Sequence, residues 1–249
     1  MNDLTQAEFE RYNRQILFKA FGKEGQKKLK ASHVLVAGVG GLGSPVAMYL
    51  AVSGIGRLTL VDSDRVSLSN LNRQLLHWEE NIGQEKVLSA KDKLLKMNSS
   101  IHVRAVHSRI ASGTCAPLLE EVDVVVDCLD NMPARYILNQ ACVERGCPLI
   151  HGGVYGMMGQ LTTIIPGHTP CLECLFPRRP EVKEDIPLPV FGPTAGLIAS
   201  LQSLEVIKLL SGIGETLQGK LLYINGEMME CVTAEVTKKG DCPACGFLR

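Results

Sequence analysis

Residues Gly38-Val39-Gly40-Gly41-Leu42-Gly43 have the G-x-G-x-x-G form of a phosphate-binding turn. Glycines at these positions let a phosphate approach the backbone, and a helix starting there offers unpaired N–H groups to the anion. Asp62 lies 19 residues beyond Gly43, the distance at which an acid accepts from ribose hydroxyls. The same pattern also fits a tight strand-to-helix turn that holds no ligand. Downstream, Asp64, Asn70, Arg73, Gln74 and Lys86 gather in and just after a loop over 63–72 that a plain βαβ unit does not need. Fixed positive charge from Arg73 and Lys86 is suited to neutralising a triphosphate and its leaving pyrophosphate. Otherwise, both face solvent from a helix.

Two further groups carry chemistry. Asp127-Cys128-Leu129-Asp130-Asn131 ends the apolar run at 122–128. Ligands of open α/β sheets bind at such strand ends, and a carboxylate beside phosphates suits Mg²⁺. The alternative role for Asp130 is to cap the following helix. Cys171-x-x-Cys174 and Cys242-x-x-Cys245 are two knuckles separated by 67 residues, in turn-rich settings. Four thiolates make the closed tetrahedral shell of a structural zinc. A lone CxxC could be redox-active, but a pair flanked by Pro and Gly points to metal.

The elements that must position these groups follow from periodicity. Thr5-x-x-Glu8 has capping-box form, and Phe9, Tyr12, Ile16 and Leu17 follow at helical spacing. Strands are expected at 33–37, 57–62, 101–106, 122–128 and 148–153, alternating with helices at 44–53, 84–97 and 134–145. That alternation implies a mainly parallel sheet with right-handed crossovers. Beyond residue 156 the rhythm changes to a strand at 160–165, a Pro-rich loop over 166–193, an apolar helix at 194–210, and strands at 220–225 and 231–237 that would pair as an antiparallel edge. No internal repeat is visible.

Composition narrows the function classes. The 249 residues carry 26 basic and 26 acidic side chains, so the formal net charge is zero. That balance removes the electrostatic footprint of a nucleic-acid binder or a polybasic membrane anchor. No run of apolar residues reaches the length of a membrane span, and residues 1–15 lack the apolar stretch of a secretory signal. Nine cysteines, an odd number in a chain large enough to fold without bridges, read as reduced thiols with metal binding in a cytoplasmic protein. Cys115, Cys128, Cys142, Cys147 and Cys231 fall in helix or strand patterns and are expected to be small buried hydrophobes.

Taken in order, Arg11-Tyr12-Asn13-Arg14-Gln15, the glycine turn, Asp62-x-Asp64, Ser69-Asn70-x-x-Arg73-Gln74, Gly83-x-x-Lys86, Asp127-x-x-Asp130-Asn131 and the two CxxC knuckles resemble the ThiF/MoeB/HesA family. Its members are bacterial relatives of ubiquitin-activating enzymes, and the likeness runs from about residue 11 to residue 246. It implies one adenylating domain over 1–249, with a helical arm at about 5–31, a nucleotide-binding core at 32–155 and a carrier-binding, zinc-bearing half at 156–249. The implied fold is α/β: a Rossmann-like, mainly parallel sheet with helices on both faces, an antiparallel C-terminal extension and a four-cysteine zinc site.

The implied activity is ATP-dependent adenylation of the C-terminal glycine of a ubiquitin-like sulfur-carrier protein ending in Gly-Gly. Gly38, Gly40, Gly41, Gly43, Asp62, Asp64, Asn70, Arg73, Gln74, Lys86, Asp130 and Asn131 would hold the nucleotide, with Asp62 on the ribose and Asp130 on Mg²⁺. Arg73, Lys86 and Asp130 would act in catalysis with Arg14, which resembles the family arginine that reaches the site of the neighbouring subunit in a homodimer. A separate sulfur donor, a cysteine desulfurase or rhodanese-like protein, would then discharge the adenylate. Some family members carry a cysteine in the loop before the apolar helix, but residues 181–190 contain none and Asp185 or a neighbour takes its place. No lasting covalent bond to the carrier is therefore expected. The likeness leaves open which carrier and pathway are served, and whether the acyl group belongs instead to a peptide or a tRNA-linked carboxylate.

Two readings from other classes compete. The glycine turn alone also fits an NAD(P)-dependent oxidoreductase, although that leaves Arg73, Lys86, Asp130 and the knuckles without a joint role. A zinc-stabilised scaffold with a vestigial nucleotide site is the non-enzymatic alternative.

Overall fold

The apolar runs assemble into one eight-stranded sheet, with strand order β3-β2-β1-β4-β5-β6-β7-β8. The strands are β1 (His33–Ala37), β2 (Arg57–Asp62), β3 (His102–His107), β4 (Val124–Asp127), β5 (Leu149–Tyr155), β6 (Met158–Ile164), β7 (Lys220–Asn225) and β8 (Glu230–Glu235). The computed structural model describes residues 3–177 and 188–248. β3, β2, β1, β4 and β5 are parallel neighbours, whereas β6, β7 and β8 extend the sheet antiparallel. The strand order reverses between β1 and β4, and in open α/β sheets that is where ligands enter.

Among the described residues the helices are α1 (Gln6–Ile16), α2 (Gly22–Ala31), α3 (Gly43–Ser53), α4 (Lys86–Met97), α5 (Ser112–Leu118), α6 (Met132–Arg145), the single turn α7 (Leu172–Leu175) and α8 (Gly192–Ser211). They cover both faces because β1 and β4 are buried on both. Along β1 the pleat sends Val34 and Val36 into a core shared with α3, α4 and α8. Leu35 and Ala37 enter a second core shared with α5 and α6. All four are fully buried, and burying each valine or leucine is worth roughly 1.5–3 kcal/mol. This is why the run reads as continuously apolar rather than alternating.

The N-terminal arm begins with its expected capping box. Glu8 N–H donates to Thr5 Oγ1 at 3.2 Å, and Thr5 N–H donates to Glu8 Oε2 at 2.7 Å. The arm then breaks into two helices. α1 docks at the far end of α3, where Gln15 Nε2 donates to the Ser53 carbonyl at 2.8 Å and a Cβ on Gly54 would strike the Tyr12 ring at 2.5 Å.

Several expectations change in detail. The strand expected at 122–128 narrows to β4, because Val122 closes a turn on Leu119 and the Asp123 carboxylate accepts from His33 N–H. α5 went unread, being short and holding Pro117. The segment read as loop contains α7. The expectation that Cys231 is buried is wrong. It lies on β8, the outer edge of the sheet, where all six residues are exposed. The other four cysteines of that group are buried. Asp185 lies outside the described residues. No helix among the described residues is long and apolar enough to cross a membrane.

Candidate functional site

The glycine turn leaves the end of β1 beside the end of β4, at the point where the strand order reverses. Gly38 has φ +90°, and a Cβ there would sit 2.6 Å from the Cys128 carbonyl oxygen. A Cβ on Gly43 would lie 1.9 Å from the Gly38 carbonyl oxygen. Neither position admits a side chain, so two of the four motif glycines are set by backbone crowding alone. Val39 is held from both sides: its N–H donates to Asp62 Oδ2 at 2.8 Å and its carbonyl accepts from His77 Nε2 at 2.9 Å. Burial pushes His77 below the ordinary histidine pKa, so the ring is neutral, with Nε2 donating and Nδ1 accepting from Ser89 Oγ at 3.0 Å. Gly41 and Leu42, just before α3, have backbone N–H groups with no acceptor among the described residues. That is the geometry of a helix-terminal anion site.

The polar residues that follow β2 close over this turn. Asp62 Oδ1 accepts from Asp64 N–H, and Asp64 Oδ2 accepts from Lys86 Nζ, both at 2.8 Å. Lys86 is buried at the first position of α4, whereas the Asp64 side chain is 60% exposed. An ammonium has three donors, so one carboxylate partner leaves capacity for a phosphate. Arg73 lays its stem against Gly41, where a Cβ would meet its Cγ at 3.4 Å, and its Nη1 donates to Ser69 O and Asn72 Oδ1, both at 2.9 Å. Asn70 caps its own short turn, its Oδ1 accepting from Ser67 N–H at 3.2 Å. Gln74 is buried beside Gly40, and its Oε1 has no partner among the described residues.

Asp130 stands across the turn from these cations, on the loop after β4. It is not the cap of α6. Asn131 takes that role, its Oδ1 accepting from Ala134 N–H at 2.9 Å. The Asp130 carboxylate is exposed and accepts only from Asn131 Nδ2, at 3.2 Å, among the described residues. Arg14 is also exposed, but α1 holds it near the end of α3 remote from the turn. Eleven residues of α3 separate the two ends, a helix length of about 16 Å, so Arg14 does not join the site of its own chain.

Sequence reasoning missed the buried cluster behind the Asp130 loop. Asp127, fully buried, accepts from His151 Nδ1 at 2.7 Å and lies 3.5 Å from Arg135 Nε. Burial alone would raise the Asp127 carboxyl, but the Arg135 charge and the His151 hydrogen bond outweigh it and hold the group below the usual carboxylate range. Burial in turn keeps His151 neutral. Arg135 Nη2 donates to the Leu129 carbonyl at 2.5 Å and to the Gly152 carbonyl at 2.9 Å. The guanidinium therefore ties the Asp130 loop to β5. A polar His151 inside the apolar start of β5 was the one available signal.

The two CxxC knuckles meet on the other side of the sheet. All four Sγ atoms lie within 4.8 Å of one another and are buried. Cys171 and Cys242 are 3.6 Å apart, Cys174 and Cys245 3.5 Å, and Cys171 and Cys174 4.0 Å. A tetrahedral zinc with Zn–S bonds near 2.3 Å requires S···S edges of about 3.8 Å, so the set fits that ion. These gaps are far longer than a disulfide bond.

Residues 12–244 match the ThiF family. Protein HesA (heterocyst) of Trichormus variabilis is 41% identical over 246 residues, covering 99% of this chain and 92% of HesA. The SAMP-activating enzyme E1 of Haloferax volcanii is 39% identical, with 98% of this chain and 91% of that protein covered. The adenylyltransferase and sulfurtransferase MOCS3 of Culex quinquefasciatus is 42% identical over 97% of this chain but only 56% of its own length. Among solved structures, E. coli MccB with ATP superposes with a TM-score of 0.85 at 28% identity, covering 97% of this chain and 75% of MccB.

Proposed function

The chain belongs to the ThiF family, and from that premise we propose that it is an ATP-dependent adenylyltransferase acting on the C-terminal glycine carboxylate of a ubiquitin-like sulfur carrier. Relatives named as an adenylyltransferase and as an activating E1 support the reaction class. The observation that carries the proposal is the convergence at the reversal of strand order: the glycine turn, Arg73 and Lys86 on one side, and the free carboxylate of Asp130 on the other. An oxidoreductase would use the turn but neither the cations nor Asp130, and family membership sets that alternative aside.

In the proposed reaction a carrier carboxylate oxygen attacks the α-phosphorus of ATP. An O–P bond forms, the bond to the bridging oxygen breaks, and pyrophosphate leaves with the electron pair. The carboxylate is already ionised at neutral pH, so the chain need not supply a general base. Its task is to bring two anions together, which charge and positioning accomplish. The free N–H groups before α3 receive phosphate oxygens, Arg73 and Lys86 offset the charge that develops on pyrophosphate, and Asp62 orients the ribose. Asp130 would hold Mg²⁺, which screens the phosphates. Asp64 would release Lys86 toward them, remaining solvated itself. A separate sulfur donor would consume the adenylate.

The deciding experiment is ATP–pyrophosphate exchange against a panel of Gly-Gly-terminated carriers, with a peptide and a tRNA that bears a free carboxylate as other acyl sources. Exchange is expected with at least one carrier, only with Mg²⁺, and to vanish when the terminal glycine is deleted. Equal exchange with a carrier whose C-terminal carboxylate is amidated would exclude the carboxylate as nucleophile.

The cysteine set would hold zinc as a structural ion, because four thiolates leave no open coordination position. Cys174→Ser and Cys245→Ser should each lower zinc content and thermal midpoint together, by on the order of 10 °C. Exchange by the fraction that stays folded should fall much less. A zinc-free protein of normal stability would contradict the assignment.

A further inference from the structure

Helix α6, which Asn131 caps, buries an amide that the nucleotide site does not use. Asn139 is fully buried where α6 meets the first knuckle. Its Oδ1 accepts from Leu172 N–H at 2.9 Å, which anchors the amide one residue past Cys171. Its Nδ2 has no hydrogen-bond partner among the described residues. A buried N–H left unpaired is costly, so such a donor calls for an acceptor. The Cys171 thiol lies beside the same amide.

A neutral thiol is a weak acceptor, whereas a metal-bound thiolate is a strong one. Four thiolates around a divalent ion leave a net charge of about −2 in a buried place, which must be met by N–H donors. One such donor is already present: Lys239 N–H points at Cys174 Sγ, 3.5 Å away.

We propose that Asn139 Nδ2 donates to the metal-bound Cys171 thiolate, so that α6 supplies part of the outer shell of the zinc site. The inference rests on the four cysteines holding zinc. It assigns the amide two separable jobs: Oδ1 holds the CxxC turn, and Nδ2 stabilises the metal complex.

Asn139→Asp separates them, because a carboxylate still accepts from Leu172 N–H but offers the sulfur no donor. Zinc transfer from the purified protein to a chromogenic chelator should be about 10- to 100-fold faster in Asn139→Asp, and at least as fast in Asn139→Leu. A wild-type release rate in the Asp variant would overturn the proposal; because the new carboxylate also repels the thiolates, faster release supports it only together with the coupling described next. A second measurement needs no variant. In ¹⁵N-labelled wild-type protein loaded with ¹¹³Cd, a scalar coupling across sulfur is expected at the Asn139 side-chain amide, with Lys239 N–H as the internal reference. Coupling at Lys239 alone would also overturn it. A folded wild type that binds neither zinc nor cadmium would instead defeat the metal assignment itself, and this proposal with it.

Discussion

Asp130→Ala should lower carrier-dependent pyrophosphate exchange by at least about 10²–10³, the scale of losing one preorganised electrostatic partner of a phosphoryl transition state. The fold should be unaffected. Asp130 is exposed, and its only hydrogen bond among the described residues comes from its neighbour Asn131. Asn131, not Asp130, caps α6. Surface changes away from such features shift stability by no more than about 0.5 kcal/mol, so the thermal midpoint should move by only about 2 °C. Residual exchange should not recover as Mg²⁺ is raised, since no second carboxylate of the loop is free: Asp127 is buried and committed to Arg135 and His151. Near-normal exchange in a folded Asp130→Ala protein would remove Asp130 from the metal role and leave the cations of Arg73 and Lys86 to account for the chemistry alone.

What the sequence showed and what it hid divide along a physical line. The glycine turn, β1 and β2 were legible because their causes are local: crowding of Gly38 and Gly43 against neighbouring carbonyls, and apolar runs buried on two faces. The knuckles were legible because each CxxC is a local motif, and four thiols seek one ion. The Asp127–Arg135–His151 cluster was not, because its members come from β4, α6 and β5 and only the fold brings them together. His77 was hidden for a similar reason, supporting Val39 from 38 residues away. Cys231 was misread because periodicity marks a strand but does not tell whether a layer covers it. At the outer edge of the sheet, beyond β7, none of the described residues does. Whether Asp130 or Asn131 caps α6 was also undecidable from composition, as both residue types cap well. Only the Asn131 Oδ1 to Ala134 N–H bond settles it.

Arg14→Ala and Lys86→Ala proteins, each nearly inactive alone, should regain about a quarter of wild-type exchange when mixed in equal amounts and allowed to exchange subunits, if two copies pair with two-fold symmetry. Random pairing makes half the dimers mixed, and each mixed dimer has one site built from an intact Lys86 and an intact Arg14. The motivation is spatial. α1 is pinned at the distal end of α3 by Gln15 on Ser53 and by Tyr12 against Asn98, so its exposed arginine sits about one length of α3 from its own glycine turn. An adenylation site that needs Arg14 must therefore take it from a second chain, and the exposed Leu17 and Phe18 that follow α1 give this end of the molecule an apolar surface to pair. Both substitutions spare the fold: Arg14 has no partner to lose among the described residues, and removing Lys86 leaves Asp64 facing solvent rather than stranded in the core. Mass spectrometry of differently tagged subunits would establish that mixing has occurred. Exchange that stays at the level of the separate variants, with mixed dimers demonstrated, would mean that Arg14 does not act across the interface.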